Sequence, residues 1–435
     1  MGRLLRLIGV FAVFCVASVA WVVLGSTMSH RTTAQTKALR GRVHDLWGVP
    51  HAQKAPEVAF VWESQETVEE PIKDDRGKVV HDDRGRPALY TVLRTRQHVE
   101  NLDLIRSELA VNLGLDQRRK GLLWFSLYDV DFEGAWRFKH DGQRTGHARI
   151  VFQLPEADAV YDGFHFLIDG HEVESPDIQA GKVQATIPII PGQTVDFAFG
   201  YRSRGMDSWV YKPGEGVGSI RDFALRMTTD FPTIDFPAYT LSPSTRTRHG
   251  DGWALDWAFD QILTGHGIGM VMPQKIQPGP LAASMSYTAP ISLGLFIVWV
   301  TVLGLVRDIE VHPMNHLFIA AAFFAFHLLF GYVADHLAVE WAFALSSAVS
   351  VALVVSYLRL VVSPRFALVE AGLAQLLYLV GFSLAHFWAG LTGLTVTVLG
   401  ICTLFALMQL TGRIRWAEVF ASDSARPKRP APEAA

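Results

Sequence analysis

Cysteine is scarce in this sequence: the chain of 435 residues contains two, Cys15 and Cys402. Both lie inside long apolar runs, so the polar sequence between those runs contains no disulfide. A domain formed by that sequence must be stabilised by its hydrophobic core alone. No Cys/His spacing typical of zinc ligands occurs either, and we therefore expect no metal site.

An excess of charge of one sign is also missing. The chain has 39 Lys and Arg against 42 Asp and Glu, a formal net charge of -3. Because proteins that bind nucleic acid are usually basic, we do not expect nucleic acid as a partner. The Gly-rich phosphate loop, the Gly-x-Ser-x-Gly elbow and the His-Glu-x-x-His motif are absent as well. We therefore expect no cofactor and no enzymatic activity.

Apolar sequence, by contrast, is abundant: 50% of the residues are hydrophobic. Within Val311–His336, the segment Leu317–Val333 is almost uninterrupted apolar sequence. As a helix it would be about as long as the hydrocarbon core of a bilayer is thick. The sequence predicts six such transmembrane helices, which makes the lipid bilayer a partner. The other five predicted spans are Leu4–Leu24, Tyr287–Val306, Trp341–Val362, Ala367–Ala389 and Leu391–Leu410.

Between the first and second spans the pattern changes. Ser26–Trp47 is an amphipathic helical segment, and from Glu57 onwards short runs of β-branched and aromatic residues alternate with polar ones. Asp-Gly and Pro-Gly turns separate these runs, which is typical of antiparallel strands. We predict a large antiparallel all-β, sandwich-like domain, built as one sandwich or two. The predicted organisation is an N-terminal anchor (1–25), this domain (26–286), a five-helix bundle (287–411) and a disordered basic tail (412–435).

Basic residues predict the orientation of the chain in the membrane. Arg3 and Arg6 precede the first span, and further basic residues occur in every second loop of the bundle and in the tail. Because basic loops stay in the cytoplasm, we expect both termini there. The β domain would then lie outside, in the periplasm of a Gram-negative bacterium, and the chain would be a multi-pass inner-membrane protein. The later basic residues are Arg307, Arg359, Arg365, Arg413, Arg415, Arg426, Lys428 and Arg429.

Six ionisable residues of the bundle are the candidate functional residues. An ionisable group at membrane depth is costly and is by default a functional hypothesis. His327, in the middle of its span, could instead form a structural hydrogen bond between helices, and Glu370 could extend to the interface near Arg365. The residues at the two ends of the third span fit topology anchoring better than metal or proton chemistry. The six are His312, Asp335, His336, His327, Glu370 and His386.

Two acidic stretches outside the bundle are similar to metal sites. Asp129–Gly134 has the spacing that opens a calcium loop, but His140 stands where the loop requires an acid, and Val130 and Phe132 alternate as strand residues do. Asp74–Pro87 is predicted to form two tight turns around a short strand. We interpret it as a solvated hairpin rather than as an acidic metal site. We predict no metal at either.

Three segments resemble the CreD family of bacterial inner-membrane proteins. Val311–His336 is similar to the family's third span, Leu410–Val419 to its exit from the sixth span, and Leu115–Phe138 to a pair of its strands. The order of anchor, large β domain and five further spans also agrees. Because Phe231–Tyr239 retains only part of a turn motif of the family, the chain resembles a divergent member. The resemblance implies a role in cell-envelope integrity, in a stress response under two-component control, without established catalytic chemistry.

Two functions are therefore open at the level of the sequence. The first is a non-enzymatic envelope protein whose periplasmic β domain binds or senses a ligand or a protein partner. The second is a transporter or signal transducer that uses His327, Glu370 and His386 as a relay within the membrane. A membrane-embedded hydrolase fits less well, because no pair of nucleophile and base is visible. A concave, polar-lined cleft in the β domain would favour the first function.

Overall fold

The fold is described from a computed structural model. It covers residues 3–412 except 74–76, 81–84, 121–122, 215, 308, 310 and 389, and it leaves out the side chains of a few helical residues (3–4, 40, 42 and 44–47). The chain forms two compact units, Met1–Arg40 with Lys120–Trp124 and Ile276–Ala435, and Gly41–Arg119 with Phe125–Lys275. The predicted basic tail and the predicted exit from the sixth span lie outside the described residues beyond Gly412.

In the described part of the chain, six helices are long and apolar enough to cross a membrane, as the sequence predicts. The described residues therefore confirm the predicted architecture of an N-terminal helix and a five-helix bundle. The helices are α1 (Arg3–Trp47), α2 (Pro278–Val306), α3 (Pro313–Val333), α4 (Val339–Val361), α5 (Phe366–Phe387) and α6 (Leu391–Thr411).

Two helix boundaries differ from those expected. The predicted first span and the amphipathic segment that follows it form one continuous helix, α1. The second span starts at Pro278 rather than at Tyr287, because proline fits the first turn of a helix, where its missing N–H needs no partner. Pro290 lies inside this helix.

Helix α5 is irregular. It contains two π-helical turns, Phe366–Ala371 and Leu376–Gly381, on either side of the α-helical turn Gly372–Gln375. It ends in a short 3-10 turn, Ala385–Phe387. Because π turns are rare and occur frequently at functional sites, α5 is the part of the bundle with the least ordinary backbone.

The β unit contains three sheets in the described residues, two of which pack face to face. In sheet order, the eight-stranded sheet consists of β14 (Thr245–His249), β15 (Gly252–Thr264), β13 (Gly218–Thr229), β4 (Leu104–Lys120), β5 (Leu123–Lys139), β11 (Thr194–Met206), β7 (Tyr161–Ile168) and β8 (His171–Glu172). The five-stranded sheet consists of β3 (Leu89–Leu102), β2 (Glu57–Pro71), β6 (Gly146–Gln153), β10 (Lys182–Ile189) and β9 (Asp177–Gln179). The small sheet consists of β1 (His51–Lys54), β12 (Ser208–Lys212) and β16 (Ile268–Val271).

Aromatic side chains fill the space between the two large sheets. Phe152 of β6 stacks on Phe199 of β11 with ring centroids 4.2 Å apart, and Phe166 of β7 stacks on Phe199 at 4.1 Å. All three rings are buried. This contact between the sheets confirms the predicted sandwich. Most strand pairs are antiparallel, as predicted, but β1 pairs with β12 and β4 pairs with β13 in parallel.

Strands β2 and β3 extend beyond the rest of their sheet. The two strands pair from Val58 to Pro71, whereas β6 pairs with β2 only over Glu57–Val61. Beyond this ribbon, at the predicted hairpin Asp74–Pro87, the described residues include a bridge between Lys73 and Val79. Seven residues of the hairpin, 74–76 and 81–84, lie outside the described residues.

Candidate functional sites in the bundle and the β domain

His327 lies in the interior of the bundle, as its position in the sequence predicts. Its Nδ1 lies 3.0 Å from the carbonyl oxygen of Phe323, one turn earlier in α3, and donates to it in the tautomer that satisfies this contact. The ring of Trp21 meets the imidazole edge to face, with centroids 5.8 Å apart. Among the described residues neither His327 Nε2 nor Trp21 Nε1 has a hydrogen-bond partner, although both side chains are buried.

His386 lies in the same region of the bundle. Its Nε2 is 2.9 Å from the hydroxyl of Thr288 on α2, and its Nδ1 is buried without a partner in the described part of the chain. The ring of Phe343 contacts both Phe326, next to His327, and Phe387, next to His386. The structure therefore brings two of the three residues of the predicted relay close together.

Glu370 lies apart from these two histidines. Its carboxylate pairs with Arg307, at the end of α2. Sixteen residues of helix separate Glu370 from His386, which corresponds to about 24 Å at 1.5 Å per residue. Its Oε2 is buried and has no partner among the described residues. The ion pair thus joins α2 to α5 at one end of the bundle, and the two histidines lie toward the other end.

The three candidates at the ends of α3 have separate surroundings. His312 caps the start of the helix, where its Nδ1 accepts a hydrogen bond from the backbone N–H of Met314 at 3.2 Å. Asp335 forms an ion pair with Arg31 of α1, just past the other end. The neighbouring His336 is exposed. These contacts agree with an anchoring role, and they do not bring the three residues together.

A polar contact that the sequence did not reveal joins α3, α4 and α5. Ser350 donates to the carbonyl oxygen of Ala322 at 2.7 Å and accepts a hydrogen bond from Gln375 at 3.0 Å. Gln375 and Ser350 are completely buried, and Gln375 lies between the two π turns of α5. Uncharged residues in an apolar run carry no ionisable group, so the sequence does not single them out.

The β unit has a concave cleft of about 830 Å³ on the outer face of the eight-stranded sheet. Val130 and Phe132 of β5 face the core, so Asp129 and Asp131 face the cleft. This alternation confirms that Asp129–Gly134 is strand and not a calcium loop.

Acidic and basic side chains alternate across the cleft. Arg204 lies opposite Asp129 in the sheet register and donates to it at 2.9 Å. Arg202 lies opposite both Asp131 on β5 and Asp162 on β7. Four carboxylates and two guanidinium groups line the cleft: Asp129, Asp131, Asp162, Asp230, Arg202 and Arg204. The cleft therefore has an excess of two negative charges among these groups.

Behind this sheet lies a buried polar cluster. The hydroxyl of Tyr128 donates to the carbonyl oxygen of Ser208 at 2.8 Å, and its ring meets His51 edge to face. The hydroxyl of Tyr201 donates to Gln53 at 2.9 Å. Burial lowers the pKa of His51 to about 4 and raises the pKa of Tyr128 far above its ordinary value. His51 is therefore neutral at neutral pH and fixed in the core.

The solved structures that resemble this chain are distant from it. No curated protein matches the chain. A protein from Legionella pneumophila described as nutrient binding shares 10% identity over 50% of this chain and 80% of its own, with a TM-score of 0.28. An M1 zinc metallopeptidase from Deinococcus radiodurans shares 11% identity over 64% of this chain and 93% of its own, with a TM-score of 0.23. At these TM-scores neither likeness supports an argument about fold or function.

The family match covers most of the membrane bundle. Residues 283–417 match the model described as inner membrane protein CreD, which agrees with the resemblance seen in Val311–His336. The match and the six apolar helices identify a multi-pass protein of the inner membrane. Over residues 283–417, which make up most of its membrane bundle, the chain is similar to the CreD family of inner membrane proteins.

Proposed function

We propose that this protein is a non-enzymatic component of the cell envelope whose β domain binds a positively charged, hydrogen-bonding ligand in the periplasm. The observation that supports this most directly is the cleft of about 830 Å³ on the outer face of the eight-stranded sheet, with its four carboxylates and two guanidinium groups. Binding there would connect the protein to envelope integrity or to an envelope stress response. The orientation with the β domain outside rests on the distribution of basic residues.

The chemistry of the cleft selects the class of ligand. Asp162 and Arg202 are largely exposed, so their hydrogen-bonding atoms are accessible from outside. Carboxylates in excess of guanidinium groups attract cations and repel anions at close range. The two arginines add donors for carbonyl or carboxylate oxygens. A basic peptide, which carries ammonium groups and a polar backbone, combines both features.

Binding of trilysine by the purified full-length protein tests this proposal. We expect trilysine to bind and triglutamate not to bind, and the affinity for trilysine to fall about tenfold or more when Asp131→Asn and Asp162→Asn are combined. Asp260→Asn, which changes an exposed acid of β15 outside the cleft, is the matched control. Equal affinity of the double variant and the control would contradict the proposal.

A second function, signal transduction through the bundle, is supported by buried nitrogen atoms of Trp21, His327 and His386 that have no hydrogen-bond partner among the described residues. If His327 transfers protons, His327→Gln and His327→Leu should both abolish function, because neither replacement titrates near neutral pH. If it only packs, both variants should retain most function, since hydrogen bonds in membrane helices contribute about 0.6–2 kcal/mol. The measurement is complementation of an envelope-stress phenotype at equal membrane abundance. We expect retention, because Nδ1 is already satisfied within α3.

A further inference from the structure

A crevice of about 510 Å³ lies between α2, α5 and α6. Its walls are mostly apolar, with polar groups in two places. At one end are Arg307 and Glu370, and further along lie Tyr378 and Thr403, whose hydroxyls are 2.6 Å apart. The apolar walls include Trp299, Leu303, Leu373, Leu377, Leu399 and Ala406.

The crevice exists because α6 packs loosely against its neighbours. Thr403 is the one residue of α6 that is buried in the described structure, and it forms the hydrogen bond to Tyr378 of α5. The other residues of α6 leave the apolar walls of α2 and α5 uncovered at this point. The crevice is open rather than enclosed, so in a bilayer its apolar walls would be in contact with lipid acyl chains.

The polar end of the crevice offers one group of each charge. The side chain of Arg307 is half exposed, and the side chain of Glu370 is 15% exposed. Glu370 accepts from Arg307 through Oε1, while its Oε2 is buried without a partner in the described part of the chain. A carboxylate oxygen without a donor is costly in an apolar surrounding, which makes a cationic donor the complementary group.

We propose that this crevice binds a phospholipid with an amine headgroup, phosphatidylethanolamine. Its acyl chain would lie along the apolar walls, and its phosphate would accept from Arg307. Its ammonium group would donate to the carboxylate of Glu370, whose buried Oε2 would turn toward the crevice on binding. The ion pair lies at the C-terminal end of α2 and near the start of α5, which is the depth of a headgroup. A phosphatidylglycerol headgroup would offer the same phosphate but only a neutral donor to the carboxylate. This proposal concerns the bundle and is independent of ligand binding by the β domain.

Two tryptophan variants test whether the crevice holds the lipid. Cys402 lines the crevice, whereas Ile401, next to it on α6, does not line it and is 63% exposed. In native mass spectrometry of the full chain, we expect Cys402→Trp to abolish most phosphatidylethanolamine adducts and Ile401→Trp to leave them unchanged. Ala406→Phe fills the same crevice from another position and replaces Cys402→Trp should that variant fail to fold. Equal retention of lipid by a folded crevice variant and by Ile401→Trp would overturn the proposal.

The headgroup is tested with the same method. In mixtures of phosphatidylethanolamine and phosphatidylglycerol, we expect wild type to retain the amine lipid about tenfold more than the glycerol lipid, since a charge-assisted hydrogen bond is worth about twice a neutral one. Glu370→Gln keeps the shape of the side chain and should remove this preference while the acyl chain still binds. A preference that survives in Glu370→Gln, or no preference in wild type, would overturn the assignment of the headgroup.

Discussion

The two regions of this molecule bury different kinds of side chain. In the β domain, aromatic rings such as Phe152, Phe166 and Phe199 fill the space between two sheets, and most charged groups lie on the outer faces. In the bundle, polar groups such as Ser350, Gln375 and His327 are buried among apolar helices. The hydrophobic effect stabilises the aromatic core of the β domain, because packing removes apolar surface from water. Lipid tails are as apolar as the helices themselves, so the hydrophobic effect does not drive the helices of the bundle together. Stability should therefore depend on apolar contacts in one region and on a few polar contacts in the other.

The largest effect on stability is expected when an aromatic ring is removed from the core of the β domain. Phe199→Ala should lower the free energy of unfolding by about 3–5 kcal/mol, because it leaves a cavity between two stacked neighbours. Phe405→Ala removes the same atoms from α6, where the ring is 64% exposed, and should change stability by less than about 0.5 kcal/mol. Chemical unfolding of the full chain in detergent compares the two. Similar losses would show that the regions do not differ in this way.

The second largest effect is expected on acidification, which should destabilise the β domain. The pKa of His51 is about 4 in the fold and about 6.5 in an unfolded chain. The unfolded state therefore binds the proton first, and stability falls as the pH is lowered from 6.5 through 4. Over that interval His51 contributes a loss of about 3 kcal/mol, taking 1.36 kcal/mol for each pKa unit.

His51→Phe should reduce the loss of stability on acidification, because phenylalanine cannot be protonated and fills the same space beside Tyr128. His147→Phe, at an exposed position of β6, is the control and should leave the dependence unchanged. The measurement is denaturant unfolding between pH 7 and 4. We expect a fragment of residues 41–275 to suffice, since its core needs no disulfide. An unchanged dependence in His51→Phe would contradict the buried, neutral histidine.

The smallest effect belongs to the polar contacts of the bundle. Gln375→Leu removes the hydrogen bond to Ser350 and should lower stability by about 0.6–2 kcal/mol, the range for hydrogen bonds between membrane helices. Gln375→Asn, which retains an amide on a shorter side chain, tests whether the loss comes from the hydrogen bond. Thermal unfolding in detergent measures both. A more stable Gln375→Leu variant would imply that the buried amide serves function rather than packing.

The six spans and the β sandwich could be predicted because both follow from patterns along the chain. Apolar length predicts α3, and alternation of polar and apolar residues predicts β5 with Asp129 and Asp131 on one face. The candidate sites were harder to predict, since they depend on which distant strands and helices become neighbours. Asp162 and Arg202 meet only because β7 pairs with β11.

The ion pair of Glu370 also depends on which distant helices become neighbours, and it could not be predicted for that reason. Glu370 was expected either to be functional or to extend to the interface, close in sequence to Arg365. The sequence contains no sign of its ion pair with Arg307, the last residue before the loop that leads to α3. From a sequence alone, residues that are close along the chain are the first partners to be considered. In the folded bundle, the packing of α2 against α5 brings together two residues that are far apart along the chain. Gln375 and Trp21 were missed for a related reason, since neither is ionisable and each stands in apolar sequence. Their importance follows from burial, which the sequence does not show.

The proposal of a periplasmic binding domain depends most directly on the side of the membrane to which the β domain is exposed. A topology reporter inserted at Gly77, an exposed glycine with positive φ in the hairpin beyond β2, measures this in living cells. A second reporter after Arg365 examines a basic loop of the bundle. We expect the Gly77 insertion to be active only outside the cytoplasm and the Arg365 fusion only inside it. A cytoplasmic signal from the Gly77 insertion would contradict the predicted orientation and, with it, a periplasmic ligand.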